Sequence, residues 1–448
     1  MTEVIWAARA LLPEGWAERV AVEIEKGVIK RTTSNVSARG QRVGCLLPAP
    51  VNLHSHAFQR GFAGRAERRG AKDDFWSWRE VMYRFVDLLT PDDMGAIAEM
   101  AYVEMAEAGF ASVCEFHYLH HQPGGQPYDD RGETANRILA AAERTGIGMT
   151  LLPVLYQTGG CDGRALEGGQ RRFGNDLTGF AHLMGRIERQ PPDGVLGVAP
   201  HSLRAVTLEG LERVATILPK TPVHIHVAEQ VAEVDEVLAA RGARPVEWLL
   251  DHAPVDRRWC LIHATQMTEA ETVGLARSGA VAGLCPVTEA NLGDGIFNGA
   301  AFRAAGGRFG VGTDSNVLIS LTDELRVLEY GQRLRDRSRA VMADPGQSTG
   351  RALYDAVLAG GAQAAGRKTG AIAAGHWADL VALDSASIEI GGAEGDEILD
   401  AWIFAARSPL VRDVWSAGRV MVQGGRHVAR DAVEGAFRAT MVRLRSRM

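Results

Sequence analysis

Between Val51 and about Gly366 the chain alternates short apolar runs with longer stretches of mixed polarity. The runs are VNLHSHAF, ASVCEFHYL, GMTLLPVLY, LGVAPHSL, VHIHVAEQ, CLIHATQM, AVAGLCPV and RFGVGTDSN. Each run is short and rich in residue types that bury well. Parallel strands covered on both faces need that pattern. The stretches between them read as helices. In TPDDMGAIAEMAYVEMAEAG, Thr90 suits the cap, Pro91 the first helical position, and Asp92 and Asp93 the positive end of the helix dipole. Met94, Ile97, Ala98, Ala101, Met105 and Ala108 then make one apolar stripe, and Gly109 ends it. TEAETVGLARSG repeats the arrangement, with Thr268 and Glu271 as a capping box and Gly279 as the stop. Eight strand–helix units over roughly 300 residues predict an α/β chain forming a (β/α)₈ TIM-like barrel. A doubly wound open sheet accommodates the same alternation.

The period changes at both ends. Residues 1–50 contain VIWAARALL and ERVAVEIEKGVIK, and residues 367–425 contain GAIAAGHWADLVALD and VRDVWSAGRVMVQGG. These are strand and hairpin patterns without long helices. Short strands at opposite ends need a common sheet to join. The expected organisation is a small β-sandwich domain built from both chain termini (1–50 and 367–425), a barrel over 51–366, and a C-terminal helix over 426–448.

Composition narrows the function classes. The 448 residues are 46% hydrophobic and 23% charged, with a net charge of −6 spread along the chain. That composition is ordinary for a globular protein and gives no reason to expect a nucleic-acid partner. The basic end, FRATMVRLRSRM, reads as a solvated helix. No apolar run is long enough for a membrane span, and Met1–Trp16 lacks the pattern of a secretory signal, so a cytoplasmic protein without a membrane partner is expected. The five cysteines, Cys45, Cys114, Cys161, Cys260 and Cys285, are odd in number and widely spaced, as reduced thiols would be.

In a barrel of this kind, chemistry sits at the C-terminal ends of the strands. His54 and His56 stand two apart, on one face if the segment is a strand. Such a pair makes half of a metal site, although two loop imidazoles meeting water would have the same sequence. The fifth run ends in His226, with Glu229 three residues on; the sixth ends in His263 and the eighth in Asp314. Taken singly, His263 reads equally as a core histidine and Asp314 as a helix cap. Their recurrence at equivalent barrel positions argues for one site.

LHSHAF, HIHVAE, LIHAT and GTDS, in this order, resemble the amidohydrolase superfamily, and within it the mononuclear deaminases. The resemblance implies the barrel and the split β domain. It also implies one zinc ion (Zn2+) per chain, held by His54, His56, His226 and Asp314, with Glu229, His263 and Asp314 as catalytic residues. Binuclear relatives bridge two metals with a carbamylated lysine on the fourth strand. Here the only lysines are Lys26, Lys30, Lys72, Lys220 and Lys368, none expected to face the site, and the fourth run reads PHSLR. His224 shares a face with His226 but sits one pleat deeper, and reads as a packed histidine or a support for the ligands. Three neutral imidazoles and a carboxylate leave a metal one open position, where bound water acidifies toward a pKa of about 7. His263 would take or orient the water proton, and Glu229 would pass protons to the substrate nitrogen and the leaving amine.

Further residues bear on the substrate: Gln59, Arg79, Tyr118, His201 and Arg204. Two arginines suit carboxylates, because the guanidinium fork matches two oxygens. Either alone fits equally well in a surface ion pair. HSHAFQR, FWSWRE-MYR, EFHYLHH, GQRRF, HSLRAVT, HIHVAEQ, RWCLIHAT and TEANLGDGIF together resemble the N-formimino-L-glutamate deiminases of histidine degradation. That resemblance implies that Gln59, Arg79, Tyr118, His201 and Arg204 bind a small-molecule substrate with carboxylates. The reaction is then hydrolysis of N-formimino-L-glutamate to N-formyl-L-glutamate and ammonia, in a homodimer. The alternatives are a deaminase for a nucleobase or another amidine, and a non-catalytic scaffold on the same fold. A scaffold has no need of all six metal and proton-handling groups. TEANLGDGIF reads as a loop that walls the site after the seventh strand.

Overall fold

The computed structural model describes residues 2–67, 75–188, 190–407 and 409–447. The first flank folds into β1 (Glu3–Leu12), β2 (Gly15–Glu25), β3 (Val28–Thr33) and β4 (Gln41–Pro48). The barrel strands are β5 (Val51–Ser55), β6 (Ser112–His117), β7 (Gly148–Leu155), β8 (Val195–Leu196), β9 (Ala199–Pro200), β10 (Val223–Val227), β11 (Trp259–His263), β12 (Val281–Leu284) and β13 (Arg308–Val311). The second flank adds β14 (Leu380–Leu383), β15 (Val411–Ser416), β16 (Arg419–Gln423) and β17 (Arg426–His427).

The two flanks form one sheet in the order β17-β16-β15-β14-β4-β1-β2-β3, joined where β14 runs antiparallel to β4. Period-2 alternation gives this sheet two apolar faces. Leu46, Leu380 and Ala382 turn into the small domain's own core with Ile5, Val22 and Trp415. Their neighbours Cys45, Leu47, Val381 and Leu383 turn the other way, into the large core shared with the barrel. Three of its tight hairpins turn at Lys26–Gly27 (φ 51° and 79°), Ala417–Gly418 (φ 43° and 74°) and Gly424–Gly425 (φ 61° and 81°), the left-handed pair that matches strand twist. β17 carries the sheet past residue 425, and the last helix runs from Arg430 to Arg445.

The barrel strands are parallel and the barrel closes, which excludes an open doubly wound sheet. β5, β6 and β7 pair in sequence, and β10 to β13 do the same. Bridges Val198↔Val223 and Ser202↔His226 connect the two halves on one side. On the other, Ser55 pairs with Asp314, and reciprocal bonds run from His56 N to Asp314 O and from Asp314 N to His54 O, each 2.9 Å. The fourth run differs from the expected single strand: it is two short pieces, β8 and β9, both paired with β7. Gly197 sits at the break, where a Cβ would meet the Pro222 carbonyl at 2.7 Å. Pro200, in β9, has no N–H to give a ladder.

Both sequence-legible helices form as capped. Thr90 and Asp93 make a reciprocal capping box at the start of Pro91–Glu107, and Thr268 and Glu271 do so before Glu269–Ser278. The first of these is buried beyond one stripe, because Met100 and Val103 on another face pack against Val433 of the last helix. All five cysteines are unpaired. Among the described residues no helix is long and apolar enough to cross a membrane.

Candidate active site

His54 belongs to β5 and His56 lies just beyond it; His226 belongs to β10, His263 ends β11, and Asp314 follows β13. The backbone turns sharply at these strand ends. Ala228 (φ 51°), His263 (φ 67°) and Asp314 (φ 42°) are non-glycine residues in the left-handed region, a strain that persists only where the surroundings over-determine it. At Asp314 a buried polar seam between the first and last barrel strands does so. Asn52 donates to Thr313 Oγ1 at 2.7 Å, Thr313 donates to Asn316 Oδ1 at 2.6 Å, and the Asn316 amide donates to Ser55 Oγ and to the carbonyls of His56 and Asp314, each 3.1 Å.

The structure brings His54, His56, His226 and Asp314 together, with one donor atom from each within 4.8 Å of the others, all buried. Nε2 of His54 and Nε2 of His56 each lie 3.3 Å from Asp314 Oδ1, and Nε2 of His226 lies 3.0 Å from Nε2 of His54. Nδ1 of His56 meets the Phe116 carbonyl at 2.9 Å, and Nδ1 of His226 meets the His201 carbonyl at 3.2 Å. A carbonyl only accepts, so both Nδ1 atoms carry the proton and both Nε2 atoms present lone pairs. Burial lowers the pKa of all three histidines, that of His54 to about 3, which keeps the imidazoles neutral. Burial alone would raise Asp314, but the hydrogen bond with His54 and the surrounding histidines hold it well below the usual carboxylate range. Three neutral nitrogens and one carboxylate facing a common point fit a divalent cation.

Beside this cluster, Nε2 of His263 lies 3.6 Å from Glu229 Oε1 and 3.9 Å from Asp314 Oδ2. Its other nitrogen, Nδ1, lies 3.2 Å from Glu289 Oε1, which also accepts from Cys285 N at 2.8 Å. Burial pushes the Glu229 carboxyl up to about 7. Burial disfavours the His263 imidazolium, but Glu229, Glu289 and Asp314 outweigh it and raise its pKa well above the usual value. Glu289 was not singled out in the sequence. It lies in TEANLGDGIF, whose first half, Thr288–Leu292, is not loop but the end of the helix Pro286–Leu292, with proline at its first position and Gly293 left-handed at its end; Gly293–Phe297 form the expected loop. Asp294, just after this helix, sits near Glu229 and His263, and burial pushes its carboxyl up to about 9.

One pocket is lined by His56, His226, Glu229, His263 and Asp314 and also by Gln59, Arg79, Tyr118, His201 and Arg204. Gln59 Nε2 donates to the Tyr118 hydroxyl at 2.8 Å, while Gln59 Oε1 is buried without a partner. Arg79 Nη2 donates to the Tyr156 hydroxyl at 3.2 Å, and Tyr156 and Phe173 complete the wall beside it. Arg204 is 8% exposed and its Nε has no partner. His224 is a packed histidine whose Nε2 donates to the Ala364 carbonyl at 2.8 Å. Among the described lysines none lines the pocket; Lys72 lies outside the described residues.

Comparison with known proteins places this geometry in a family. Residues 45–421 match the model described as "Amidohydrolase family". Residues 2–42 match the one described as "Formimidoylglutamate deiminase HutF, N-terminal domain". A formimidoylglutamate deiminase of Pseudomonas aeruginosa is 50% identical over 445 residues, 97% of each chain. A 5-methylthioadenosine/S-adenosylhomocysteine deaminase of Natronomonas pharaonis is 27% identical over 85% of this chain and 82% of its own. Among solved structures, an amidohydrolase from Brucella melitensis superposes with a TM-score of 0.95 at 53% identity, over 99% of both chains. An adenosine deaminase from Xanthomonas campestris with bound zinc shares the fold, with a TM-score of 0.83 at 23% identity over 99% of this chain and 98% of its own. The chain therefore belongs to the amidohydrolase family.

Proposed function

We propose that this protein is a metal-dependent deiminase that hydrolyses N-formimino-L-glutamate to N-formyl-L-glutamate and ammonia, a step of histidine degradation. The family and the formimidoylglutamate deiminase relative support the reaction class. The observation that carries the substrate is Arg204. A buried guanidinium with an unpartnered Nε, in the same pocket as the metal donors, is costly until an anion completes it. A glutamyl carboxylate is such an anion.

On this reading His54, His56, His226 and Asp314 hold one zinc ion, which supplies an acidified water when bound. Residues 51–366 form the catalytic barrel, 1–50 and 367–425 the β domain that braces it, and 426–448 the closing segment. Arg79 and Arg204 hold the two substrate carboxylates, with Gln59, Tyr118 and His201 fixing the chain between them. His263 takes the water proton at Nε2 or orients that water, and Glu289 at Nδ1 steadies the imidazolium form that the surrounding carboxylates favour. Glu229 donates a proton to the formimino nitrogen, takes one from the hydroxyl newly added to the formimino carbon, and passes it to the departing amine as the carbonyl forms. A carboxyl with a pKa near neutrality suits both directions of transfer. The test is ammonia release from N-formimino-L-glutamate by the zinc-loaded protein, against adenosine, cytosine and guanine. Release from a nucleobase and none from the formimino substrate would overturn the assignment.

A further inference from the structure

Asp294 has no task in that mechanism. It is 5% exposed, its Oδ1 accepts from the Gln230 amide, and its Oδ2 is buried without a partner. One oxygen each of Asp294 and Glu229 and one ring nitrogen of His263 lie within 4.8 Å of one another. An ion held tetrahedrally at about 2.0–2.2 Å sets its ligands roughly 3.3–3.6 Å apart, so small side-chain rotations close either set.

We propose that Glu229, His263 and Asp294 form a second divalent-metal site, weaker than the first, whose occupation inhibits the enzyme. The proposal rests on Glu229 and His263 being the proton-handling groups. One imidazole and two carboxylates are a donor set that zinc accepts. Nε2 of His263 faces Glu229 at 3.6 Å, while Nδ1 is already committed to Glu289 at 3.2 Å. That is the carboxylate–histidine–metal order that orients an imidazole toward an ion. An ion there occupies the lone pairs that Glu229 and His263 need for proton transfer. It also stands where the substrate must lie, since both residues line the pocket. With three protein ligands against four, this site fills after the central one.

Equilibrium dialysis against graded free Zn2+, read by metal analysis alongside the rate, tests the proposal. Wild-type protein should take up one equivalent at low zinc, then a second that tracks a loss of activity relieved by more substrate. Asp294→Asn keeps an acceptor for Gln230 and should leave the first equivalent and the one-zinc rate unchanged. It should raise the inhibitory zinc concentration by at least about ten- to a hundredfold, the loss seen on removing even an outer support of a metal ligand. N-formyl-L-glutamate in excess should lower the second equivalent of the wild type and spare the first. His226→Ala should lose the first equivalent, so failure of the central-site reading is seen separately. The proposal is overturned if wild type never binds a second equivalent, if that equivalent ignores N-formyl-L-glutamate, or if Asp294→Asn is inhibited at the same free zinc as wild type.

Discussion

Replacing Arg204 by methionine keeps most of the apolar stem and removes the guanidinium. The side chain is 92% buried by its 8% exposure, and Glu233 and Tyr156 offset the penalty of burial enough to raise its pKa, so it is charged at every working pH. Two unit charges about 4 Å apart attract by about 4 kcal/mol at an effective dielectric of 20. Stranding one partner of such a pair typically costs about 2–5 kcal/mol. At 1.36 kcal/mol per decade, kcat/KM should fall by about 30- to several-thousand-fold. Stability should move the other way. The unpartnered Nε in the free enzyme carries a desolvation cost of about 1–3 kcal/mol, so the thermal midpoint of Arg204→Met should hold or rise. An arginine that merely braced the fold would lose activity and midpoint together. The assay compares N-formimino-L-glutamate with the formimino derivative of 4-aminobutyrate, which lacks one carboxylate. Wild type should strongly prefer the first. One of Arg204→Met and Arg79→Met, whichever removes the partner of the missing carboxylate, should lose most of that preference, and lysine should restore only part of it, since a point charge cannot reproduce the fork. Wild-type kcat/KM and preference in both variants would refute the carboxylate-reading pocket.

Other perturbations test the remaining groups. Metal analysis of protein purified without chelators should give one zinc per chain, and His226→Ala should lose metal and activity together; a requirement for two equivalents at full activity would count against a single catalytic metal. Glu229→Gln should retain that zinc yet turn over roughly 10²–10⁴-fold more slowly, and a metal-free variant would mean that a ligand had been mistaken for an acid. Glu289→Gln should lower kcat by roughly ten- to a hundredfold with KM little changed, measured by steady-state ammonia release; an unchanged kcat would remove its role in steadying His263. Burial pushes the Glu115 carboxyl up to about 8, so between about pH 4.5 and 8 the folded chain holds a proton that the unfolded chain releases. Stability therefore falls as pH rises through that window, by on the order of a few kcal/mol. Glu115→Gln should flatten the decline and raise the thermal midpoint above pH 8, and an unchanged pH profile would show that Glu115 is not the cause.

Much of this protein is legible locally. The short runs rich in readily buried residue types announce strands buried on both faces, and the cap of Pro91–Glu107 is written in four adjacent residues, Thr90 to Asp93. The HxH of β5 and the strand-end positions of His226, His263 and Asp314 follow from a period of two and the habit of barrels to react at one end. Each of these signals lies within a few residues of its consequence. What the sequence could not decide are distances between segments. His263 and Glu289 are 26 positions apart, and the hairpin-free stretch between them gives no register for their bond. Asn52 and Thr313 are 261 apart and meet only because the barrel closes. The break between β8 and β9 depends on the Pro222 carbonyl lying against Gly197. Arg204 reads equally as a surface ion pair until packing removes water and leaves its Nε without a partner. The sequence by itself determined the elements, their caps and the inventory of ligand-type side chains, because these rest on short-range sterics and periodicity. The tertiary structure decided which of those side chains are brought within reach of one another and which are left unpaired, because burial and electrostatics depend on what the closed barrel packs around each group.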